Sequence, residues 1–457
     1  MKVLLISPKA DTGLSDMVEP SHGLAYIAAC VLEQGHEVHV IDAKSLDLST
    51  TEVVALAHER KTDIVGITAM TPDIIWAGKI ADGIKTNGPE IPIIVGGPHV
   101  TALPERTLRE FPSLDIAVIG EGERAIVELL DVISSSHTLE DIHKVKGLAF
   151  RRGEQVVITE PRQPIADLDS LPFPAWHLFP RQTEYTVFAT RGCPFRCKFC
   201  MRVMGSSVRT RSPENVVAEI EHNIRKYGMR SFRFEDETFG IQRRWTERLL
   251  DMMIESKIPD RITSWSAMSR VNIANSKVYR KMKRAGCRTV NFGIESGSQK
   301  ILESVHKGFK LNNAKRAIKV AKEAGLRVAA FFIMGHPFET RLTLIDTIRF
   351  AAKLNPDHVA IGVMVPYPGT AIWDMALEKE GGYDYISHNW DDYRKYHGHP
   401  LGLKRISAVE LEIWQVCGYF AVYISHARFR DLLHLLRQHR RSILAGVKHR
   451  VFPKSAR

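Results

Sequence analysis

The sequence predicts an α/β protein in three parts: an N-terminal doubly wound, Rossmann-like domain, a partial (β/α)6 barrel, and a C-terminal helical tail. Three observations carry this. Short apolar runs alternate with amphipathic runs over residues 1–133. A proline-punctuated stretch, "LDSLPFPAWHLFP" (168–180), then interrupts the pattern. A second alternation, with longer helices, begins at 185. Buried apolar strands that alternate with helices imply parallel sheets covered by helices. The expected division is 1–145, a linker at 146–184, the barrel at 185–400 and a basic helical region at 401–457.

In the first domain the expected strands are "KVLLIS" (2–7), "EVHVIDA" (37–43), "DIVGITAM" (63–70), "IPIIVGG" (91–97) and "DIAVIG" (115–120). Helices are expected over 23–35, 51–60, 74–88, 104–110 and 123–133, the first ending at a glycine. Ligands of such a sheet sit beyond the carboxyl ends of its strands. Those ends read "SPKADTG", "TAMTPD", "GGPHVT" and "GEGE". Three prolines within 168–180, Pro172, Pro174 and Pro180, forbid a helix or a central strand there.

The barrel strands are "YTVFATRG" (185–192), "SFRFEDE" (231–237), "ITSWSAM" (262–268), "TVNFGIE" (289–295), "RVAAFFIMG" (327–335) and "HVAIGVMVP" (358–366). Helices separate them at 213–228, 243–256, 275–285, 311–325 and 340–354. Function in this architecture sits at the carboxyl ends of the strands.

Composition limits the partners. The apolar share of 44% is ordinary for a globular protein. No apolar run reaches the roughly 18 residues of a membrane span, and "MKVLLISPKA" is too short for a secretory signal. A cytoplasmic location is expected. The net charge of +11 is concentrated in 428–457, which hold nine Lys or Arg against one acid. The balanced remainder argues against a nucleic-acid enzyme, and no zinc-finger, RNP or helix-turn-helix signal is present. The tail reads as a helix docked on the barrel through Phe429, Leu432, Leu433, Leu436, Ile443, Leu444 and Val447, with a solvated basic face. A membrane-surface or acidic-partner site is the second reading and RNA the third, and the tail is also a candidate cover for the barrel mouth.

Six cysteines do not make a disulfide framework, and Cys30, Cys287 and Cys417 read as buried apolar residues. The other three stand in "RGCPFRCKFC" (191–200), just after the first barrel strand. Cys193, Cys197 and Cys200 have the spacing C-x3-C-x2-C. One tight loop brings each thiolate to a different iron of a cubane cluster. A structural zinc site wants four ligands, usually as two pairs, and a ferredoxin cubane also needs four thiolates. No fourth cysteine lies nearby, so one iron is left for a ligand that is not protein. An incomplete zinc site is the alternative.

"CPFRCKFC" resembles the signature of the radical S-adenosylmethionine superfamily, with an aromatic before the third cysteine. The resemblance implies a [4Fe–4S] cluster on Cys193, Cys197 and Cys200, with S-adenosylmethionine on the open iron. It implies reductive cleavage to a 5′-deoxyadenosyl radical, driven by an electron donor such as flavodoxin or ferredoxin. "FEDETFG" (234–240) then places Asp236 and Glu237 near the ammonium of S-adenosylmethionine. "NFGIESGS" (291–298) places Glu295 and Ser296 near its ribose or carboxylate, and "FIMGHPFET" (332–340) sets Gly335 against adenine. Arg270 reads equally as a carboxylate partner or a surface arginine.

Before such a barrel, the first domain resembles the cobalamin-binding domain of the cobalamin-dependent branch, in "VGITAMTP" (65–72), "VGGPHVTALPE" (95–105) and "IGEGE" (119–123). This implies that Thr68, Thr71, Gly96, Gly97 and Glu121 line a corrin or its nucleotide tail, with His99 at the corrin edge. The loop after the first strand, "SPKADTGLSD", carries Asp11 and Gly13 of the D-x-H-x-x-G pattern but no histidine. No lower cobalt ligand is expected there, and His22 reads as a polar residue at a helix start. The implied function is a C-methyltransferase that methylates an unactivated carbon of a small-molecule substrate by way of the adenosyl radical and methylcobalamin. An anaerobic oxidative cyclase of the tetrapyrrole type and a non-catalytic cobalamin-binding module are the alternatives.

Overall fold

The computed structural model describes residues 1–9, 20–136, 140–394 and 398–438. The chain forms two units. Described residues up to Thr183, with Met201–Ser212, make the first; Glu184–Cys200 and the described residues from Pro213 onward make the second.

In the first unit, apolar runs bounded by turns give β1 (Lys2–Ser7), β2 (Glu37–Asp42), β3 (Ile64–Thr68), β4 (Ile93–Gly96) and β5 (Ile116–Val118). Between them run α1 (His22–Glu33), α2 (Thr50–Arg60), α3 (Ile74–Asn87), α4 (Pro98–Ala102) and α5 (Pro104–Glu110); α6 (Gly122–Ser136) follows β5. Ser49 and Glu52 close a capping box at the start of α2, which fixes its first turn. The strand order is β2-β1-β3-β4-β5 with every pair parallel, and Val3 is level with both Val38 and Ile64. The direction of winding reverses between β1 and β3, which opens a ligand crevice at the carboxyl ends of those strands.

The start of the stretch expected to be a linker extends this sheet instead. β6 (Leu148–Arg152) and β7 (Gln155–Ile158) form an antiparallel hairpin that pairs with β5, Ile116 being level with Phe150. Residues 201–212 return to this unit. Arg209 donates to the Glu121 carboxylate at 2.8 Å and to the Ile165 carbonyl at 2.6 Å. The Ser212 N–H donates to Asp169 at 2.9 Å.

The second unit is a six-stranded, all-parallel sheet: β8 (Tyr185–Val187), β9 (Ser231–Phe234), β10 (Ser264–Ser269), β11 (Cys287–Glu295), β12 (Arg327–Met334) and β13 (His358–Val363), in sequence order across the sheet. Helices α7 (Pro213–Tyr227), α8 (Arg243–Glu255), α9 (Ser276–Arg284), α10 (Leu311–Glu323) and α11 (Arg341–Leu354) cross between successive strands. Phe232, Phe234, Trp265 and Phe292 are fully buried in it.

After a hairpin of Tyr383–Ile386 with Leu401–Leu403, α12 (Ala408–Ile424) and α13 (Phe429–Gln438) complete the described chain. α12 covers the open edge at β13. Gln415 Nε2 donates to the Ile361 carbonyl at 2.5 Å, and the Ile361 N–H donates to the Tyr419 hydroxyl at 3.0 Å. Backbone groups that an edge strand would leave bare are thereby satisfied. Arg428, at the start of α13, donates to the Pro356 carbonyl at 2.5 Å, just before β13. α13 therefore lies at the amino end of β13, opposite the cysteine loop, and does not cover the barrel mouth. Leu432 and Leu435 are buried while Phe429 and Leu433 are exposed, so the tail's apolar residues do not share one docked face. Ile443, Leu444 and Val447 lie outside the described residues, as does the Leu436 side chain.

Candidate active site

The cysteine loop leaves the carboxyl end of β8 and is pinned by its backbone on both sides. The Lys198 N–H donates to the Val305 carbonyl and its own carbonyl accepts from Ile372, both at 3.1 Å. The Cys200 N–H turns back to the Cys197 carbonyl at 3.1 Å. Among the described residues no three His, Cys, Asp or Glu side chains converge as ligands of a single metal ion. A cubane needs no such convergence, since each thiolate takes its own iron.

The surroundings favour thiolate. Cys197 is held down to about 5, first by the hydrogen bond from the Cys200 thiol and, against the effect of burial, by Lys307 and Arg270; Cys200 is raised in return. Arg270 Nη1 lies 3.4 Å from Cys197 Sγ, and its guanidinium stacks over the Phe195 ring at 3.7 Å. Thiolate is the form that binds metal, so these residues fit an iron–sulfur cluster. The surface reading of Arg270 is corrected: it is buried, and also donates to the Lys307 carbonyl.

Asp236 and Glu237 stand beyond β9, and both are engaged with the loop. Asp236 accepts from the Ala189 N–H and the Thr190 hydroxyl, each at 2.8 Å. Glu237 accepts from the Gly192 N–H at 3.1 Å. The acids tie the end of β9 to the start of the cysteine loop. Burial pushes Asp236 up to about 7.

Glu295, in the left-handed backbone region at φ 69°, forms a buried ion pair with Lys307 at 2.6 Å. Ser296 Oγ lies 3.0 Å from Thr347 Oγ1 and accepts from the Ser298 N–H at 3.1 Å. Gly335, at φ 92°, is held through its carbonyl by the Tyr383 hydroxyl at 3.1 Å. Next to it, His336 is fully buried, 6.0 Å from the Phe199 ring, and burial pushes it down to about 3. It is therefore neutral at pH 7. Its ring nitrogens have no side-chain hydrogen-bond partner among the described residues, only the Glu295 backbone nearby. The structure thus brings Glu295, Lys307, His336 and Arg270 around the cysteine loop. Of these, sequence reasoning missed Lys307 and His336. Arg270 had a usable signal, because it follows the carboxyl end of a barrel strand.

In the first unit, Thr68 ends β3, Thr71 follows it, and Gly96 ends β4. The buried His99 ring holds its Nδ1 3.2 Å from Thr71 Oγ1 and is pushed down to about 3, mainly by burial. Gly97 has a reason of its own: at φ 109°, a Cβ there would lie 2.6 Å from the Ala69 carbonyl oxygen. The backbone alone is therefore enough to require glycine there. Glu121 is likewise committed within the protein, to Arg209 and to the Ile165 N–H at 2.7 Å. His22 is the first residue of α1, behind the N-cap Ser21. Asp11, Gly13 and most of the loop after β1 lie outside the described residues.

An all-parallel barrel segment with three thiols at its first strand end, preceded in the chain by a doubly wound domain, defines a class of radical enzymes with a second cofactor domain. Comparison with known proteins agrees. The B12 binding domain model matches residues 10–130 and the Radical SAM superfamily model residues 187–351. The uncharacterized methyltransferase PH0819 of Pyrococcus horikoshii is 37% identical over 86% of this chain and 86% of its own. An anaerobic magnesium-protoporphyrin IX monomethyl ester cyclase of Cereibacter sphaeroides is 29% identical over 85% of this chain and 66% of its own. Among solved structures, the methyltransferase TsrM of Kitasatospora setae, with cobalamin and a [4Fe–4S] cluster bound, superposes with a TM-score of 0.73 at 17% identity, covering 93% of this chain and 88% of that one. The chain belongs to the cobalamin-dependent radical S-adenosylmethionine enzymes, whose cofactors are a [4Fe–4S] cluster, S-adenosylmethionine and cobalamin.

Proposed function

We propose that the protein is a C-methyltransferase that places a methyl group on an unactivated carbon of a small-molecule substrate. The observation that carries this is the three-thiol loop at the carboxyl end of β8, in a chain that also folds a B12-binding domain and is similar over most of its length to a methyltransferase. When bound, the cluster supplies the electron that cleaves S-adenosylmethionine and the cobalamin carries the methyl group. The chain's own residues hold and orient. Cys193, Cys197 and Cys200 ligate iron, with Arg270 and Lys307 favouring the thiolate. Asp236 and Glu237 fix the loop's entry. Glu295, Ser296 and Gly335 line the S-adenosylmethionine side, and Thr68, Thr71 and Gly96 the cobalamin side. A flavodoxin- or ferredoxin-type donor supplies the electron.

The test uses anaerobically reconstituted protein, S-adenosylmethionine with a deuterated methyl group, and a strong reductant. Methyl transfer predicts S-adenosylhomocysteine beside 5′-deoxyadenosine, and a product in which one hydrogen is replaced by a trideuteromethyl group. Similarity to the cyclase supports a second reading, oxidative ring closure, in which 5′-deoxyadenosine forms, no label reaches the product and no S-adenosylhomocysteine accumulates. That outcome overturns the methyltransferase reading.

A further inference from the structure

We infer that the outer face of α12, with α13, is a docking surface for a membrane bearing anionic lipid headgroups. α12 has two faces. Leu411, Gly418 and Val422 are buried, on the face that presses against β13 and α11; Tyr423, near the end of the helix, is buried as well, beneath the Arg428 guanidinium. On the opposite face, where a surface helix normally carries charge, stand Val409, Ile413, Val416, Phe420 and Ile424, at helical spacing and 37–53% exposed. Phe429 and Leu433 continue the apolar surface on α13, at 56% and 54% exposure. Residues 413–427 contain no Asp, Glu, Lys or Arg. The two acids at the start of α12 are already paired, Glu410 with Arg341 and Glu412 with His399. A row of exposed apolar residues along one helix face marks an interaction site.

Charge selects the occupant. Along α13, Arg430 and Arg437 flank Phe429 and Leu433, and residues 439–457 add six Lys or Arg and no acid. An apolar stripe bordered by cations is the pattern of a helix lying in the interface plane of an anionic bilayer. A second copy of the chain fits poorly, since a two-fold contact through this face sets two basic clusters of like sign together. The exposed stripe is also aliphatic apart from its phenylalanines, without the Tyr or Trp anchors that centre a protein interface. No described helix is long and apolar enough to cross a membrane, so the contact is peripheral.

The experiment is flotation of the full-length, cluster-loaded protein with phosphatidylcholine vesicles, with or without phosphatidylglycerol. The expected result is association with the mixed vesicles only, weakened by salt and reduced at least roughly tenfold in the double variant Val416→Glu, Phe420→Glu. Arg430→Glu with Arg437→Glu is expected to weaken it while leaving the apolar face intact. Unchanged iron content and S-adenosylmethionine cleavage show that each variant is folded. Absence of association with the mixed vesicles overturns the proposal, as does equal association of the Val416→Glu, Phe420→Glu protein. A self-associated wild type that this variant renders monomeric, with no vesicle binding, assigns the face to a second copy instead.

Discussion

Arg270 is the side chain whose chemistry most exceeds its sequence signal. Buried, stacked on Phe195 and directed at Cys197 Sγ, it favours the thiolate that a cluster needs. Partners of metal ligands typically contribute 10–100-fold to metal affinity. Arg270→Ala is therefore expected to lose iron about tenfold more readily to a chelator, with the circular dichroism spectrum unchanged; equal retention sinks this role. Glu339 gives a pH prediction. Burial raises it from 4.5 to about 7, while Thr343 and the His336 N–H oppose the shift. Folding thus takes up a proton between those values, so this group's contribution to stability is greatest below about 4.5 and is lost as pH rises to about 7. Glu339→Gln is expected to flatten part of that fall, on the order of 3 kcal/mol, in urea unfolding of the metal-free protein at about pH 5 and about pH 8. Asp236 is shifted in the same direction, so its share of the slope remains. At this scale the cysteines were legible because three thiols in one loop admit few explanations. Lys307 and His336 were not, because their meaning lies in what a distant strand end brings beside them.

Alternation of apolar and amphipathic runs located the parallel strands and their helices to within a few residues. The β6–β7 hairpin escaped because "LAFRRGEQVVI" carries Arg151, Arg152 and Gln155 where the other strands are apolar. Its exposed edge position permits that composition, and the short turn at Gly153–Glu154 was the available signal. The edge-capping role of α12 was illegible for another reason: a hydrogen bond from a helix side chain to a strand backbone leaves no periodicity. Tyr419→Phe removes the acceptor of the Ile361 N–H. It is expected to destabilise the protein by about 1–3 kcal/mol, the cost of a polar group left unpaired, seen as a lower urea midpoint. An unchanged midpoint would show that the edge is satisfied without the tyrosine.

Across the whole molecule, two alternations separated by prolines announced two sheets. The path between them was not legible: residues 201–212 return to the first unit immediately after the cysteine loop, where Arg209 pairs with Glu121 and Ser212 bonds to Asp169, and no composition shift marks the exchange. Each unit nevertheless has its own sheet and core, so a substitution in one can be read for its effect on both cofactors. Gly96 and Gly97 provide the means. Gly97→Ala is strained by the Ala69 carbonyl whether or not a ligand is present, so a loss of cobalamin there would be ambiguous. At Gly96 a Cβ meets nothing closer than Val118 Cβ at 3.7 Å, an ordinary contact. Gly96→Ala should therefore fold normally, and Gly96→Val probes the same space with two more methyl groups. If a corrin or its nucleotide tail approaches the end of β4, cobalamin affinity should fall in the order Gly, Ala, Val, while iron content and S-adenosylmethionine cleavage stay at the wild-type level. Cobalt and iron counting on the same samples checks both halves. Undiminished cobalamin in the valine protein would move the binding site away from β4, and parallel loss of iron would show that the two units do not hold their cofactors independently.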